Sequence, residues 1–479
     1  MRMRINPYKP GMWHRTVLRQ GLMSSFASIS LPAPLTRALE VLAFTEMTPV
    51  QAHALPPLLL GHDVIAQART GSGKTVAFGL ALLAGIDGNL KHVHSLVLCP
   101  TRELADQVSA ELRRLGRFIP SLRIVTLCGG VPVREQTPSL QQTPQIIVGT
   151  PGRLNDHLER GTLDLSQLNV LVLDEADRML DMGFFDAISA VVEQTPAARQ
   201  TMLFSATFPT AIRTLSRKLQ HNPVEVTVDT EAPVAEIVQT FFEVEAGAKM
   251  DALVALLQQH RPESVLVFCH TRNDTRDVAE SLTRQGYDAL ALHGELDQRD
   301  RDEVLLRFNH GSCRVLVATD VAARGLDIKG LALVIAYELP VRTDVHIHRI
   351  GRTGRAGRTG LALSLCSPNE RERAAALEQE QGGPVTWGKL PPLKQDDRPT
   401  PVPVVTFLLD GGRRDKLRPG DILGALTSET ALPGDAVGKI DVQPDRSYVS
   451  IKRPQVGAVD AIEKLRVKKR SFRIARLRQ

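Results

Sequence analysis

The sequence predicts an α/β protein of two parallel-sheet lobes followed by a small C-terminal sheet domain of order β-α-β-β-α-β. Three observations carry that reading. Short β-branched runs alternate with helical stretches twice along the 479 residues, a glycine-rich loop lies between a strand and a helix at 64–86, and a charged, proline-rich break precedes a last set of short strands. A chain of this length is too long for one core, and about three domains are expected.

With 43% hydrophobic and 23% charged residues and no apolar run of membrane-spanning length, the composition is that of a soluble globular protein. The net charge of +6 conceals a division. Residues 1–22 hold five Lys/Arg and no acids, residues 446–479 hold eleven against two, and the remainder carries 43 basic against 51 acidic residues. A basic tail on a mildly acidic body suggests a polyanion-binding appendage. Cys99, Cys128, Cys269, Cys313 and Cys366 are scattered without metal-ligand spacing, as expected of reduced core residues in a cytoplasmic protein.

Residues 1–22 lack the apolar core of a secretory signal and read as a basic extension, either disordered or upstream of a start at Met23; an organelle transit peptide is the other reading. The first lobe is expected over 23–228. Its strands are Asp63 to Ala66, Ser95 to Cys99, Arg123 to Leu127, Gln145 to Gly149, Val170 to Leu173 and Thr201 to Ser205, with a helix over Val76 to Ile86. A linker, 229–236, follows. The second lobe, 237–369, repeats the pattern with strands at Ser264 to Cys269, Asp288 to Leu292, Arg314 to Thr319, Leu331 to Ala336 and Leu361 to Cys366. A second linker is expected over 370–401. Beyond it, Val402 to Leu409, a helix over Gly420 to Leu426, strands at Gly438 to Val442 and Tyr448 to Ile451, a helix over Gly457 to Leu465 and a strand over Ser471 to Leu477 predict a ferredoxin-like, RRM-like domain over 402–479.

Ala68-Arg69-Thr70-Gly71-Ser72-Gly73-Lys74-Thr75 reads as a phosphate cradle, with Ala68 at the usual first glycine. Glycines 71 and 73 let backbone N–H groups turn inward, Lys74 can reach β- and γ-phosphates, and the Thr75 hydroxyl can hold Mg²⁺. Asp174, ending a buried strand, is placed to hold Mg²⁺ through water, and Glu175 to orient or deprotonate the attacking water. Phe44 and Gln51 flank a turn ahead of the cradle. An aromatic can stack on a base and an amide can pair with adenine N6 and N7, which favours ATP over GTP. In the second lobe, arginines alternate with glycines from His348 to Gly357. Arg352 and Arg355 are candidate arginine fingers for the transition-state charge.

These residues together resemble the DEAD-box RNA helicases, whose name is spelled by Asp174-Glu175-Ala176-Asp177. Further matches are Pro100 to Ala105, Gly129-Gly130, Thr150 to Arg153, Ser205-Ala206-Thr207, Val267 to Arg272, His293-Gly294, Gln298, Arg301 and Thr319 to Asp327. The resemblance implies two RecA-like lobes that close around ATP and single-stranded RNA. It implies RNA-backbone contacts from Arg102, Gly130, Thr150, Arg153, Arg272, Gly294 and Thr319, with Asp327 near the ATP ribose. Asp177, Ser205, Thr207 and His348 would couple nucleotide state to RNA grip.

The C-terminal stretch narrows the match. Thr406 to Leu409, Asp410 to Arg414, Arg418 to Leu426 and Gly438 to Ile440 look like the DbpA subfamily, whose members bind a large-subunit ribosomal RNA hairpin. The strand Ser447 to Ile451 lacks the usual row of RNA-stacking aromatics. Contacts from Arg413, Arg414, Lys416, Arg418, Lys468, Lys469 and Arg470 are therefore expected in their place. The chain reads as an ATP-dependent RNA helicase that remodels 23S ribosomal RNA in 50S subunit precursors. An ATP-gated RNA clamp without strand separation and a DNA translocase are the alternatives.

Overall fold

The computed structural model describes residues 25–68, 71–88, 90–228, 237–323, 331–354, 359–430 and 432–477. The extension 1–22, the linker 229–236, and Arg69, Thr70, Asp327 and Arg355 lie outside the described residues. No helix among the described residues is long and apolar enough to cross a membrane.

The first lobe is a seven-stranded sheet of β1 (Val64–Gln67), β2 (Ser95–Leu98), β3 (Ile124–Leu127), β4 (Ile146–Gly149), β5 (Val170–Asp174), β6 (Gln200–Ser205) and β7 (Val224–Thr227). Its order is β3-β4-β2-β5-β6-β1-β7, and every pairing is parallel. Burial on both faces explains the unbroken apolar runs. Val97, Val148, Val172 and Phe204 face one core, while Leu96, Ile147, Leu171 and Leu203 face the other. The sheet exceeds the sequence expectation by β7, a mostly exposed edge strand whose alternating Glu and Thr residues give no buried run.

The second lobe contains β8 (Ile237–Glu243), β9 (Val265–Cys269), β10 (Ala289–Leu292), β11 (Val315–Thr319), β12 (Leu333–Ala336) and β13 (Gly360–Cys366), in the parallel order β10-β11-β9-β12-β13-β8. The strand β8 was not expected, because polar Gln239 and Thr240 interrupt its apolar run; it forms the sheet edge against β13.

The stretch 370–401 differs most from expectation. It opens with the helix Arg371–Gln381, whose Ala374 and Leu377 pack with Phe241, Leu339 and Cys366 of the lobe. Further on, Gln258 donates to the Lys394 carbonyl (2.8 Å) and Arg261 pairs with Asp397 (2.7 Å). The expected linker is thus fastened along the second lobe. Charge-rich sequence concealed a helix that buries only one narrow stripe.

A buried ion pair ties this helix down. Lys249 Nζ lies 2.6 Å from Glu370 Oε2 and donates to the Tyr337 carbonyl at 2.9 Å. The other Glu370 oxygen accepts from Leu339 N, and Ser367 donates to Oε2 through both N and Oγ. Burial pushes the Glu370 carboxyl up, but the Lys249 and Ser367 bonds outweigh it and hold it below the usual range.

The C-terminal domain is an antiparallel sheet of β14 (Val404–Leu409), β15 (Val437–Val442), β16 (Ser447–Lys452), β17 (Lys464–Val467) and β18 (Arg470–Arg476), ordered β15-β16-β14-β18-β17. The expected helix at 457–465 is shorter, Val456–Asp460, and its apolar tail becomes β17. Val405, Phe407, Leu409, Val449 and Ile451 face the domain's own core.

The opposite sheet face is also buried, against the second lobe. Thr406, Tyr448 and Ser450 are at most 2% exposed. Thr406 Oγ1 lies 2.7 Å from Ser312 Oγ, Asp441 Oδ2 is 2.6 Å from His310 Nε2, and Lys439 Nζ donates to the Asn309 carbonyl at 2.6 Å. Those lobe-2 residues lie at and just beyond the end of the helix Gln298–His310. A face on which many RRM-like domains stack bases is therefore spent on an intramolecular contact, consistent with its poverty in aromatics.

Glu370→Ala would strand the buried Lys249 ammonium, and a loss of about 3 kcal/mol is expected for the second lobe. Denaturant unfolding followed by a lobe-2 probe checks it; Lys249→Met with Glu370→Leu should recover most of the loss.

Candidate functional site

Parallel strands put their carboxyl-end loops on one edge, so the sheet order decides which residues meet. In the first lobe, adjacent β5, β6 and β1 lead into Asp174-Glu175, Ser205-Ala206-Thr207 and the cradle. The neighbouring trio β3, β4 and β2 leads into Gly130, Thr150 and Arg102. The residues expected to contact nucleotide and those expected to contact RNA thus occupy two halves of the same edge.

Ala68 is buried, and its N–H donates to the Ser205 carbonyl at 3.0 Å, extending the β1–β6 ladder by one bond. Gly71 (φ 83°) and Gly73 (φ 93°) both adopt left-handed backbone, and Gly73 caps the helix Lys74–Ala84. A Cβ at Gly73 would lie 2.4 Å from Gln51 Nε2, so the glycine also makes room for a side chain. Gln51 uses that room: Oε1 accepts from Thr48 N (2.8 Å) and Nε2 donates to the Gly73 carbonyl (3.1 Å). One amide N–H and one carbonyl lone pair remain, enough for an adenine edge. Phe44 is half-buried, its ring 6.2 Å from that of Phe26.

Lys74 Nζ, Ser72 Oγ and Asp174 Oδ1 are buried without a hydrogen-bond partner among the described residues. Burial pushes the Asp174 carboxyl up to about 6, against the pull of Lys74, and neighbouring Glu175 pushes it further. Orphaned buried donors beside an unpartnered carboxylate oxygen fit a phosphate chain and a divalent cation, which would satisfy both. Thr75, half-buried in the first turn of the same helix, adds a hydroxyl. Among the described residues no group of three or more His, Cys, Asp or Glu is placed to hold a metal, so a cation at Asp174 and Glu175 would draw its remaining oxygens from nucleotide and water.

Glu175 has φ 54°, an uncommon value for a non-glycine residue, and is 4% exposed. Its carboxylate is held by Arg178 Nη1, itself buried. Sequence reasoning missed Arg178, although its position three residues on along a helical turn was the available signal. Asp177 Oδ2 accepts from Ala206 N (3.1 Å), Thr207 N (3.0 Å) and Thr207 Oγ1 (3.0 Å), and Ser205 Oγ donates to the Thr207 carbonyl (2.7 Å). The end of β6 is therefore wired to the turn after β5.

Among the residues expected to contact RNA, Thr150 stands at the N-cap position of the helix Pro151–Glu159 without a side-chain capping bond, and Arg153 donates to Gln136 Oε1 at 2.7 Å. Gln136 also donates to the Cys128 carbonyl and lies 3.3 Å from buried His157, an aligning role that its sequence context did not signal. Arg102 opens the helix Arg102–Leu115, and Gly130 takes φ 87°.

In the second lobe, Arg272 and Gly294 follow β9 and β10, and Thr319 ends β11, which lies between those two strands in the sheet. Arg272 pairs with Glu295 at 2.6 Å. His348 lies on the helix Thr343–Ile350, and Arg352, just past it, is buried. Between them Arg349 holds Asp320 through two bonds (2.7 and 2.8 Å), donates to the Glu338 carbonyl and stacks over Phe268. It is a positioning residue that the arginine-glycine pattern alone could not separate from its neighbours.

In the C-terminal domain, Lys468 (φ 49°) and Lys469 (φ 67°) form the two-residue turn between β17 and β18. Glycine and asparagine dominate such turns, so two lysines there carry a conformational cost. Lys416, also left-handed at φ 61°, accepts through its carbonyl from Lys468 Nζ. Lys468 pairs with Asp421 and Arg470 with Asp415, while Arg413, Arg414 and Arg418 are exposed nearby in sequence.

Comparison with known proteins agrees with this geometry. The DEAD/DEAH box helicase family matches residues 48–215, the helicase conserved C-terminal domain 248–357, and the DbpA RNA binding domain 406–476. The ATP-dependent RNA helicase DbpA of Escherichia coli is 52% identical over 433 residues, covering 90% of this chain and 94% of its own length. The DEAD-box ATP-dependent RNA helicase CshA of Bacillus licheniformis is 42% identical over 372 residues, 78% of this chain and 76% of the relative. Among solved structures, S. cerevisiae Dbp5 bound to RNA and ADP BeF3 superposes with a TM-score of 0.70 at 32% identity, over 77% of this chain and 96% of that one. With nucleotide cradle, DEAD turn, second lobe and C-terminal domain all accounted for, the chain belongs to the DEAD-box ATP-dependent RNA helicases and carries a DbpA-type RNA binding domain.

Proposed function

We propose that this helicase remodels 23S ribosomal RNA in 50S precursor particles in the cytoplasm, and that its C-terminal domain selects a ribosomal hairpin through basic loops. The cluster of left-handed lysines, Lys416, Lys468 and Lys469, carries the second part of this reading. Conformational strain at exposed positions is retained where function holds it in place, and three lysines so held present a compact cationic patch. Arg413, Arg414, Arg418 and Arg470 extend the patch.

At the nucleotide site, Mg²⁺ held through water by Asp174, with Thr75 and phosphate oxygens, would neutralise a carboxylate that is costly to bury. Lys74 binds the phosphates, and Gln51 and Phe44 select adenine. Glu175, aligned by Arg178, orients or deprotonates the attacking water. Arg352 and Arg355 supply transition-state charge, and Asp327 the ribose contact. Asp177, Ser205, Thr207 and His348 couple nucleotide state to the RNA grip of Arg102, Gly130, Thr150, Arg153, Arg272, Gly294 and Thr319. These contacts go to the RNA backbone and carry no sequence preference, so selection must come from the C-terminal domain.

Glu175→Gln should retain ATP and RNA binding and lose about 10²-fold or more in turnover; ATPase assays beside nucleotide and RNA titrations check it. Near-normal turnover would remove Glu175 from this role.

Because the folded-state pKa of Asp174 is raised to about 6, the unfolded chain releases that proton at lower pH. Ligand-free stability should fall as pH rises from the ordinary carboxylate range through about 6. Asp174→Asn should raise the ligand-free melting midpoint at neutral pH but not in acid, and should abolish Mg²⁺-dependent hydrolysis. Melting curves at several pH values measure the first effect.

In the full-length chain, Arg414→Glu with Lys469→Glu should leave the basal ATPase intact and abolish preferential stimulation by hairpin-bearing ribosomal RNA over an unrelated RNA of equal length. ATPase stimulation by a panel of RNA fragments tests the address, and unchanged preference would refute it.

A further inference from the structure

A cavity of about 480 Å³ opens where the C-terminal domain meets the second lobe. Lobe 2 contributes Asp288, Arg307 and Ser312; the C-terminal domain contributes Thr406, Arg453 and Arg476. Three arginines and one carboxylate residue thus line it. That carboxylate is already engaged, since Asp288 Oδ2 accepts from Val402 N at 3.2 Å and lies 4.0 Å from Arg453 Nη2. Arg453 is oriented by its Nε donating to the Val402 carbonyl at 2.6 Å. The lining is thus cationic in balance, partly preorganised, and built from both sides of a contact that buries the sheet face.

The position of the cavity separates it from the helicase RNA residues of the same lobe. Asp288 directly precedes β10, and Ser312 lies just before β11, so the cavity is at the amino-terminal edge of the lobe-2 sheet. Arg272, Gly294 and Thr319 lie at the carboxyl-terminal edge. A strand the length of β11 puts roughly 13 Å between the two edges. Among the described residues no aromatic lines the cavity, so it offers nothing for base stacking, whereas arginine forks suit phosphate oxygens.

We propose that this joint is a phosphate-binding subsite for the RNA backbone, gripping a segment that flanks the selected hairpin and lies away from the strand held by the helicase core. The proposal rests on the reading of the C-terminal domain as an RNA address. It extends that reading by adding a contact that exists only while domain and lobe stay docked. Flanking RNA then strengthens docking, and docking strengthens the hold on flanking RNA, as linkage requires. The subsite reads charge and shape, so it favours longer structured RNA over the bare hairpin without specifying sequence.

The test uses the full-length protein and two labelled RNAs, the ribosomal hairpin alone and the same hairpin with a flank of about ten base pairs. Binding is measured across a salt series. For the extended RNA, Arg476→Gln should lower the slope of log affinity against log salt by about 1, and Arg453→Gln with Arg476→Gln by about 2. Binding of the bare hairpin and the RNA-independent ATPase should be unchanged. Arg476 is exposed, so the single variant remains informative if the double variant, which loses the Arg453 bond to Val402, weakens the domain. An unchanged slope for the extended RNA overturns the proposal. Equal losses on both RNAs also overturn it, by placing these arginines within hairpin recognition. Broadening of the ³¹P signal of inorganic phosphate by the wild type but not by Arg476→Gln, with RNA slopes unaltered, assigns the cavity to a small phosphorylated ligand instead. Loss of hairpin preference in the Arg414/Lys469 variant is a separate result, so failure of the address and failure of the joint subsite are distinguishable.

Discussion

Lys74 and Asp174 are two opposite charges buried at the carboxyl edge of one sheet, and Lys74 Nζ and Asp174 Oδ1 lack a hydrogen-bond partner among the described residues. Their mutual attraction lowers the Asp174 pKa without overcoming the burial that raises it. A folded chain tolerates such a pair where a ligand completes it, and the arrangement of the first lobe follows from keeping the pair together. The strand β6 separates β1 from β5, and its end is stitched to the DEAD turn through Asp177. Any shift of the Ser205-Ala206-Thr207 segment must therefore be felt at Asp177, two residues from Glu175. That short path is the physical basis on which the proposed coupling between nucleotide state and RNA grip rests.

The second lobe meets different demands. Its edge carries no cradle among the described residues, and its buried charges are compensated internally: Arg349 by Asp320 and a carbonyl, Lys249 by Glu370 and a carbonyl. These pairs secure the helix that presents His348 and the helix that follows β13. Their satisfaction contrasts with the orphaned set in the first lobe. The first lobe leaves Lys74 Nζ, Ser72 Oγ and Asp174 Oδ1 unsatisfied at one edge, while these two pairs of the second lobe are satisfied and keep its arginine-bearing segment in place.

Docking of the C-terminal domain changes how its RNA binding must be understood. With the sheet face occupied by Ser312, His310 and Asn309, the turns and edges are left exposed, and there lysines adopt backbone conformations that glycine would take more easily. The same docking makes a cationic joint that neither domain has alone. An RNA-binding module tethered by a free linker would search independently of the core; one packed on lobe 2 delivers its RNA at a set position relative to that lobe.

Much of this was legible in the chain itself. Apolar runs ending in charged or hydroxyl residues marked β1, β2, β4, β5, β6 and most lobe-2 strands, because strands buried on both faces leave an unbroken hydrophobic record. The cradle, Asp174-Glu175 and the arginine-glycine run were readable because phosphate chemistry restricts residue types at fixed spacing. Edge strands β7 and β8, half exposed, left no such record, and neither did the helix at 371–381. Sequence determined the doubly buried strands, the nucleotide-cradle motif and the family. Tertiary structure alone decided which strand ends are neighbours, that Arg178 rather than solvent holds Glu175, that the stretch 370–401 is fastened to lobe 2, and that the RRM-like sheet face is closed. Each of these depends on groups distant in sequence meeting through packing, and spacing along a chain does not encode which buried surfaces will find one another.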